Sequence, residues 1–204
     1  MFTASDFKIF DEPTLAGRMH LIKTVIDPKF EAIAAQLIPT LTTQTGRPFY
    51  AHVAQHLRRY KNPPVDTWVA FSDDHRRYKA LPHFELGLWP DRLFIYLDLL
   101  DEGKTALQAQ VTPADLQAWL APLSADYVIS HNHAVAQTEP ATPNNITKTI
   151  TKFDQYRHSE LVTGRSLMLA SPLLQNDADQ LACLKQTLVT LSPIYMAIMQ
   201  ALEA

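Results

Sequence analysis

Three apolar runs separated by short polar breaks constrain this chain more than any other feature. They are DTWVAFS (66–72), HFELGLW (83–89) and RLFIYLDLL (92–100). β-Branched and aromatic residues dominate them, and the intervening SDDHRR and WPDR carry the residues that end strands and turn the chain. Connections this short cannot cross over to a parallel neighbour, so strands joined by them pair antiparallel. The expectation is an antiparallel meander. DYVIS (126–130) reads as a fourth strand of this set, and ELVTGRSLML (160–169) as a further one.

Helical periods flank the runs. Leu15, Met19, Ile22 and Ile26 recur at helical spacing, and Phe30, Ile33, Leu37 and Leu41 resume it after Pro28. The break predicts two helices, the second opening with Pro28 in its first turn and Asp27 as cap, with Gly46 ending the region. TPADLQAWL from Thr112 predicts a short capped helix, and another helix is expected from about Ile146, after the polar loop 137–145. Leu181, Leu184, Leu188, Leu191, Tyr195, Ile198 and Leu202 make an apolar stripe on a C-terminal helix. Pro193 predicts either a kink or a second helix capped by Ser192. The stripe covers barely three heptads, which favours a core helix over a dimerising coiled coil. The sum is an α+β fold, one domain over residues 1–204, with an antiparallel sheet covered on one face by long helices.

Composition narrows the function classes. Apolar residues at 47% and charged residues at 19% are an ordinary globular balance, and a net charge of -3 means that any nucleic-acid contact needs a local basic patch. A single cysteine, Cys183, rules out an internal disulfide and suits a reducing compartment; its place on the apolar helix predicts a buried, inert thiol. MFTASDFKIF lacks the basic start and apolar run of a signal peptide, and no stretch approaches the roughly 18 apolar residues that span a bilayer. A cytoplasmic protein with no membrane partner is expected. The five glycines are all isolated. No glycine-rich phosphate loop or nucleophile elbow exists, which argues against Rossmann cofactor enzymes, Walker-type NTPases and α/β-hydrolases.

Polar chemistry concentrates in HVAQHLRRYKNPPVDTWVAF (52–71) and in HRRYK (75–79). His52 and His56 share a face on either a helix or a strand, but at about 6 Å on a helix and about 13 Å on a strand. Pro48 before and Pro63-Pro64 after favour the strand, which would line up His52, Ala54, His56 and Arg58. Residues 47–92 hold eight basic and five acidic side chains within an acidic chain. If the meander brings the strand end and the HRRYK turn together, His52, His56, Arg58, Arg59, Asp66, Arg76, Tyr78, Lys79 and His83 form a site for a phosphate-bearing or other anionic ligand, a small molecule or nucleic acid. Trp68 reads as core rather than as an aromatic wall. His131 and His133 in ISHNHAV are a weak metal candidate that would need His83, Asp126 or His52 as a third ligand. With no cysteine cluster and no His-Glu-x-x-His helix, no metal site and no cofactor is assigned. Arg165 interrupts an apolar run, and either points outward or joins the site.

HVAQHLRR, NPPVDTWVAF and RRYKALPHFELGLW together resemble the YktB-like family of bacterial proteins, densely over residues 49–89 and loosely from SDFKIF to the final helix. The resemblance implies a single α+β domain, with a sheet wrapped on a long helix in the manner of the TATA-binding-protein fold. It marks His52, His56, Arg58, Arg59, Asp66, Trp68, Arg76, Tyr78, Lys79 and His83, and implies no activity. Two departures stand out: Arg77 replaces the motif's glycine, and SHNH stands where the family has one Asp-His pair. The alternatives to anion binding are a small hydrolase or transferase with histidine as general base, with or without a metal, and a protein-interaction module.

Overall fold

The computed structural model describes residues 1–76 and 78–204. Arg77, the departure from the motif's glycine, lies outside the described residues. Among the described residues seven strands form one open sheet in the order β1-β2-β3-β4-β7-β5-β6, with every neighbouring pair antiparallel. They are β1 (Tyr50–Val53), β2 (Thr67–Ser72), β3 (His83–Trp89), β4 (Arg92–Leu99), β5 (Val128–Ser130), β6 (Glu139–Pro140) and β7 (Leu161–Met168). The meander is β2-β3-β4, as its short turns require. DYVIS contributes β5 to the same sheet but not beside β4. The free edge of β4 is taken by β7, from Arg92 opposite Met168 to Leu99 opposite Leu161. Gly164 permits this pairing: a Cβ there would stand 2.0 Å from the Ile95 carbonyl oxygen and 2.7 Å from Tyr96 Cα.

Strand alternation divides the sheet into two unlike faces. Val69, Phe71, Phe84, Leu86, Leu88, Leu93, Ile95 and Leu97 point to one face, into the main core. That face is covered by α2 (Asp27–Thr45) and α6 (Asp177–Leu202), which also pack on each other, and the same core takes in apolar residues of α3 (Asp101–Gln110), α4 (Pro113–Leu120) and α5 (Pro143–Gln155). The opposite face carries a smaller cluster, Trp89, Phe94, Tyr96 and Val162, with Trp68 against it.

The helices correct three expectations. Asp27 is no cap: α1 (Leu15–Leu21), a π turn (Ile22–Ile26) and α2 follow without a break, and the residue before Asp27 is itself helical and makes no side-chain cap. A proline inside a helix lacks one N–H and clashes with a carbonyl of the preceding turn; the wider π turn placed just before Pro28 relieves both. Ser192 is no cap either. α6 continues through Pro193, and Ser192 Oγ donates to the Leu188 carbonyl at 2.7 Å. Finally, α6, at 26 residues, is long and apolar enough to cross a membrane by length and composition, with an 18-residue stretch of mean hydropathy 1.3. Its stripe nevertheless lies in the core, with Leu184, Leu188, Leu191 and Tyr195 at 0% exposure. Cys183 on the same helix is half-buried against that core.

Candidate functional site

The second face of the sheet brings the polar residues together, and strand register dictates how. His83 in β3 stands opposite Asp98 in β4, and Glu85, two residues on, opposite Tyr96. His52 in β1 stands opposite Ala70, which stands opposite Glu85. One row therefore runs His52, Ala70, Glu85, Tyr96 across four strands, and the small Ala70 leaves space between the imidazole and the carboxylate.

β1 ends at Val53, which corrects the expected alternation of His52, Ala54, His56 and Arg58. After Ala54 donates its N–H to the Trp68 carbonyl at 2.9 Å, the chain turns away from β2. His56 takes φ 48°, the one non-glycine residue with positive φ among those described. That turn folds the ring back onto the sheet. It shares a 3.1 Å hydrogen bond with Thr67 Oγ1 and meets the Trp68 ring edge-on at 5.3 Å. So His52 and His56 reach the same place by different routes.

That place is a cleft of about 550 Å³ lined by His52, His56, Arg58, Arg59, Trp68, Tyr78, Lys79 and Glu102, among others. Trp68, expected in the core, is half-buried and forms part of the wall. His52 donates from Nε2 to the Asp74 carbonyl at 3.1 Å and stacks on Tyr78 with ring centroids 5.0 Å apart. Tyr78 in turn meets His83 edge-on at 5.1 Å. His83 thus lies one aromatic layer below the cleft floor. Of the sequence candidates, His52, His56, Arg58, Arg59, Tyr78 and Lys79 line the cleft, and His83 and Asp66 are buried near it. Arg76 is exposed on the turn after β2 and does not reach it.

His131 and His133 part company, because β5 ends at Ser130 and no strand alternation holds them on one face. His131 lines a separate cleft with Lys152, Arg157 and His158. His133 Nδ1 donates to Glu160 at 2.7 Å, and Glu160 also accepts the His133 backbone N–H at 2.6 Å. Arg165 points to the helix-covered side of the sheet, stacks over Tyr127 at 4.9 Å and faces Asp126 at 3.7 Å; it joins no part of the site.

Burial sets the electrostatics. His83 and Asp98 are 0% exposed, Glu85 4% and Asp66 7%. Burial pushes His83 down to about 4, despite its bond to the Leu81 carbonyl, and pushes His56 down to about 4, aided by Arg59. Burial raises Asp66 to about 6 against the pull of Arg59. Glu85 is held well above the carboxylate range by burial and then by Asp98; Asp98 is raised by burial, with His133 opposing. For His133, burial disfavours the charged form but the bond to Glu160 outweighs it, and the pKa rises.

Glu85, Asp98, Glu160 and Glu102 were not singled out from the sequence. A signal existed for two of them. HFELGLW and LFIYLDLL are apolar on both strand faces except at His83, Glu85 and Asp98, and a carboxylate inside a doubly buried strand is costly unless something pairs with it.

Comparison with known proteins finds relatives along the whole chain. A UPF0637 protein of Lactiplantibacillus plantarum is 59% identical over 204 residues, covering 100% of this chain and 98% of the relative. UPF0637 proteins of Latilactobacillus sakei and Shouchella clausii are 38% and 34% identical, covering 96% and 95% of this chain and 97% and 92% of the relatives. The family model for the domain of unknown function DUF1054 matches residues 2–195, and the chain belongs to that family of bacterial proteins.

Proposed function

We propose that the cleft between the β1–β2 loop and the Tyr78–Ala80 turn binds a small phosphate-bearing or otherwise anionic ligand. One observation carries the reading. Arg58, Arg59 and Lys79 converge on the cleft, and none of them has a carboxylate within salt-bridge distance among the described residues. Unpaired guanidinium forks beside an ammonium suit phosphate oxygens, and Trp68 and Tyr78 offer ring faces to an apolar moiety. A volume of about 550 Å³ suits a small molecule rather than a duplex. The single cysteine agrees with a reducing, cytoplasmic setting.

Histidine as a general base finds less support. A base works best with its pKa near the ambient pH, and His56 and His83 are both held near 4. At neutral pH they are uncharged acceptors.

Calorimetric titration with inorganic phosphate, pyrophosphate, nucleotides and short oligonucleotides tests the reading. Binding of a phosphorylated small molecule, weakened at least tenfold in Arg58→Ala/Arg59→Ala, supports it. Binding of oligonucleotides alone, with an affinity that falls steeply with salt, replaces it with a nucleic-acid role. No binding, or binding indifferent to the two arginines, refutes it.

A further inference from the structure

We infer that His83 Nε2 and the carboxylates of Glu85 and Asp98 bind a first-row divalent metal ion, of the Zn²⁺ or Mn²⁺ kind. This stands apart from the anion reading, since none of its ligands is a cleft cation.

The donors are placed by the two central strands of the meander. His83 and Asp98 are a cross-strand pair, and Glu85 lies two residues along β3 on the same face. Their donor atoms all lie within 4.8 Å of one another, and among the described residues no other such group of His, Cys, Asp and Glu occurs. Ligand distances of roughly 2.0–2.2 Å imply donors about 3–4.2 Å apart, so closing on an ion needs small side-chain rotations and no backbone shift.

A second observation points to an occupant. Both carboxylate oxygens of Asp98 are buried and accept no hydrogen bond among the described residues, and neither does His83 Nε2. The His83 tautomer is not free. Nδ1 donates to the Leu81 carbonyl at 2.9 Å, so the bare lone pair is on Nε2, turned away from that bond. This is the arrangement that orients metal-binding histidines: the outer nitrogen is fixed by a backbone carbonyl and the inner one left to coordinate. Buried acceptors without donors are costly, and no arginine or lysine forms an ion pair with Glu85 or Asp98 among the described residues. A dication answers both carboxylates at once.

The donor set selects the ion. One imidazole with two carboxylates suits Zn²⁺, Mn²⁺ or Fe²⁺, whereas Ca²⁺ and Mg²⁺ prefer oxygen ligands throughout. Three protein ligands leave at least one position open for water or a ligand, which is the pattern of catalytic rather than structural ions.

The test uses full-length protein stripped with chelator, then titrated calorimetrically with Zn²⁺ and Mn²⁺ alone. One ion per chain is expected, lost in Asp98→Asn and in Glu85→Gln and kept in His131→Ala/His158→Ala, which removes the surface imidazoles. It is also kept in Arg58→Ala/Arg59→Ala, which separates this site from the anion reading. Failure of the stripped protein to bind either ion, or loss of binding in the His131 variant but not in Asp98→Asn, overturns the assignment. Should the buried-site variants not fold, the X-ray absorption spectrum of the zinc-loaded wild type decides. One imidazole among oxygen donors supports the site, and two or more imidazoles refute it.

Discussion

Replacing Asp27 by alanine should make this protein more stable at pH 7.5. The side chain sits in mid-helix, just after the π turn, and its Oδ1 is buried with no hydrogen-bond partner. Burial, and then the neighbouring Glu31, raise its pKa from 3.8 to about 6. A shift of roughly two units corresponds to about 3 kcal/mol at most. The group is partly open to solvent, and screening cuts that to about 1 kcal/mol. The sign follows from linkage. A carboxyl that is harder to ionise when folded destabilises the fold above its folded pKa, and the penalty disappears as pH falls from about 6 towards the unfolded value near 3.8. Asp27→Ala should therefore raise Tm by about 2–4 °C at pH 7.5 in a chain of this size, and the advantage should shrink towards zero near pH 4. Asp27→Asn should show the charge-dependent part alone. Calorimetric melts at several pH values measure both. If Asp27 were a helix cap, as Pro28 suggests from sequence, Asp27→Ala would instead cost about 1 kcal/mol. A loss of stability, or a gain that ignores pH, refutes the reasoning.

Three further outcomes are expected. Gly164→Ala should cost at least about 3 kcal/mol, read as a fall in the urea midpoint, because its Cβ would meet strand backbone that cannot move aside. Leu188→Ala should cost about 2–5 kcal/mol at a position with 0% exposure between the helix and the sheet. His56, held near 4, should show no NMR titration between pH 5 and 8; the stability it lends above the unfolded value of 6.5 should be lost as pH falls from there towards 4.

Local signals carried much of the fold. The β2-β3-β4 meander follows from three apolar runs and two short turns, and the C-terminal stripe marks α6. Long-range pairing left no such trace. Nothing in ELVTGRSLML says that it inserts between β4 and β5, since that depends on which free edge it meets after α5. α3 was missed because Asp101–Gln110 buries only Lys104 and Leu107 and so lacks an apolar stripe. The helix break at Pro28 was misplaced because a π turn has no sequence signature comparable to a proline's, and it reconciles that proline with a continuous helix.

The candidate site divides along the same line. His52, His56, Arg58, Arg59, Tyr78 and Lys79 come from two nearby segments and could be read as a cluster of polar chemistry. The buried layer beneath them could not, because it exists only through register. Shifting β4 by one residue against β3 would send Asp98 into the helix-covered core. That sensitivity bears on what the carboxylates are for. Apolar residues at 85 and 98 would extend the Trp89–Phe94–Tyr96 cluster and spare the sheet two buried acids, so the pair weakens the apo fold. His52 stacks on Tyr78, which covers His83, and His83 is fixed by a backbone carbonyl beside them. A sheet that accepts such a cost at its centre, one layer below a cationic cleft, recovers it only when something positive binds there, and stability should then rise with metal concentration.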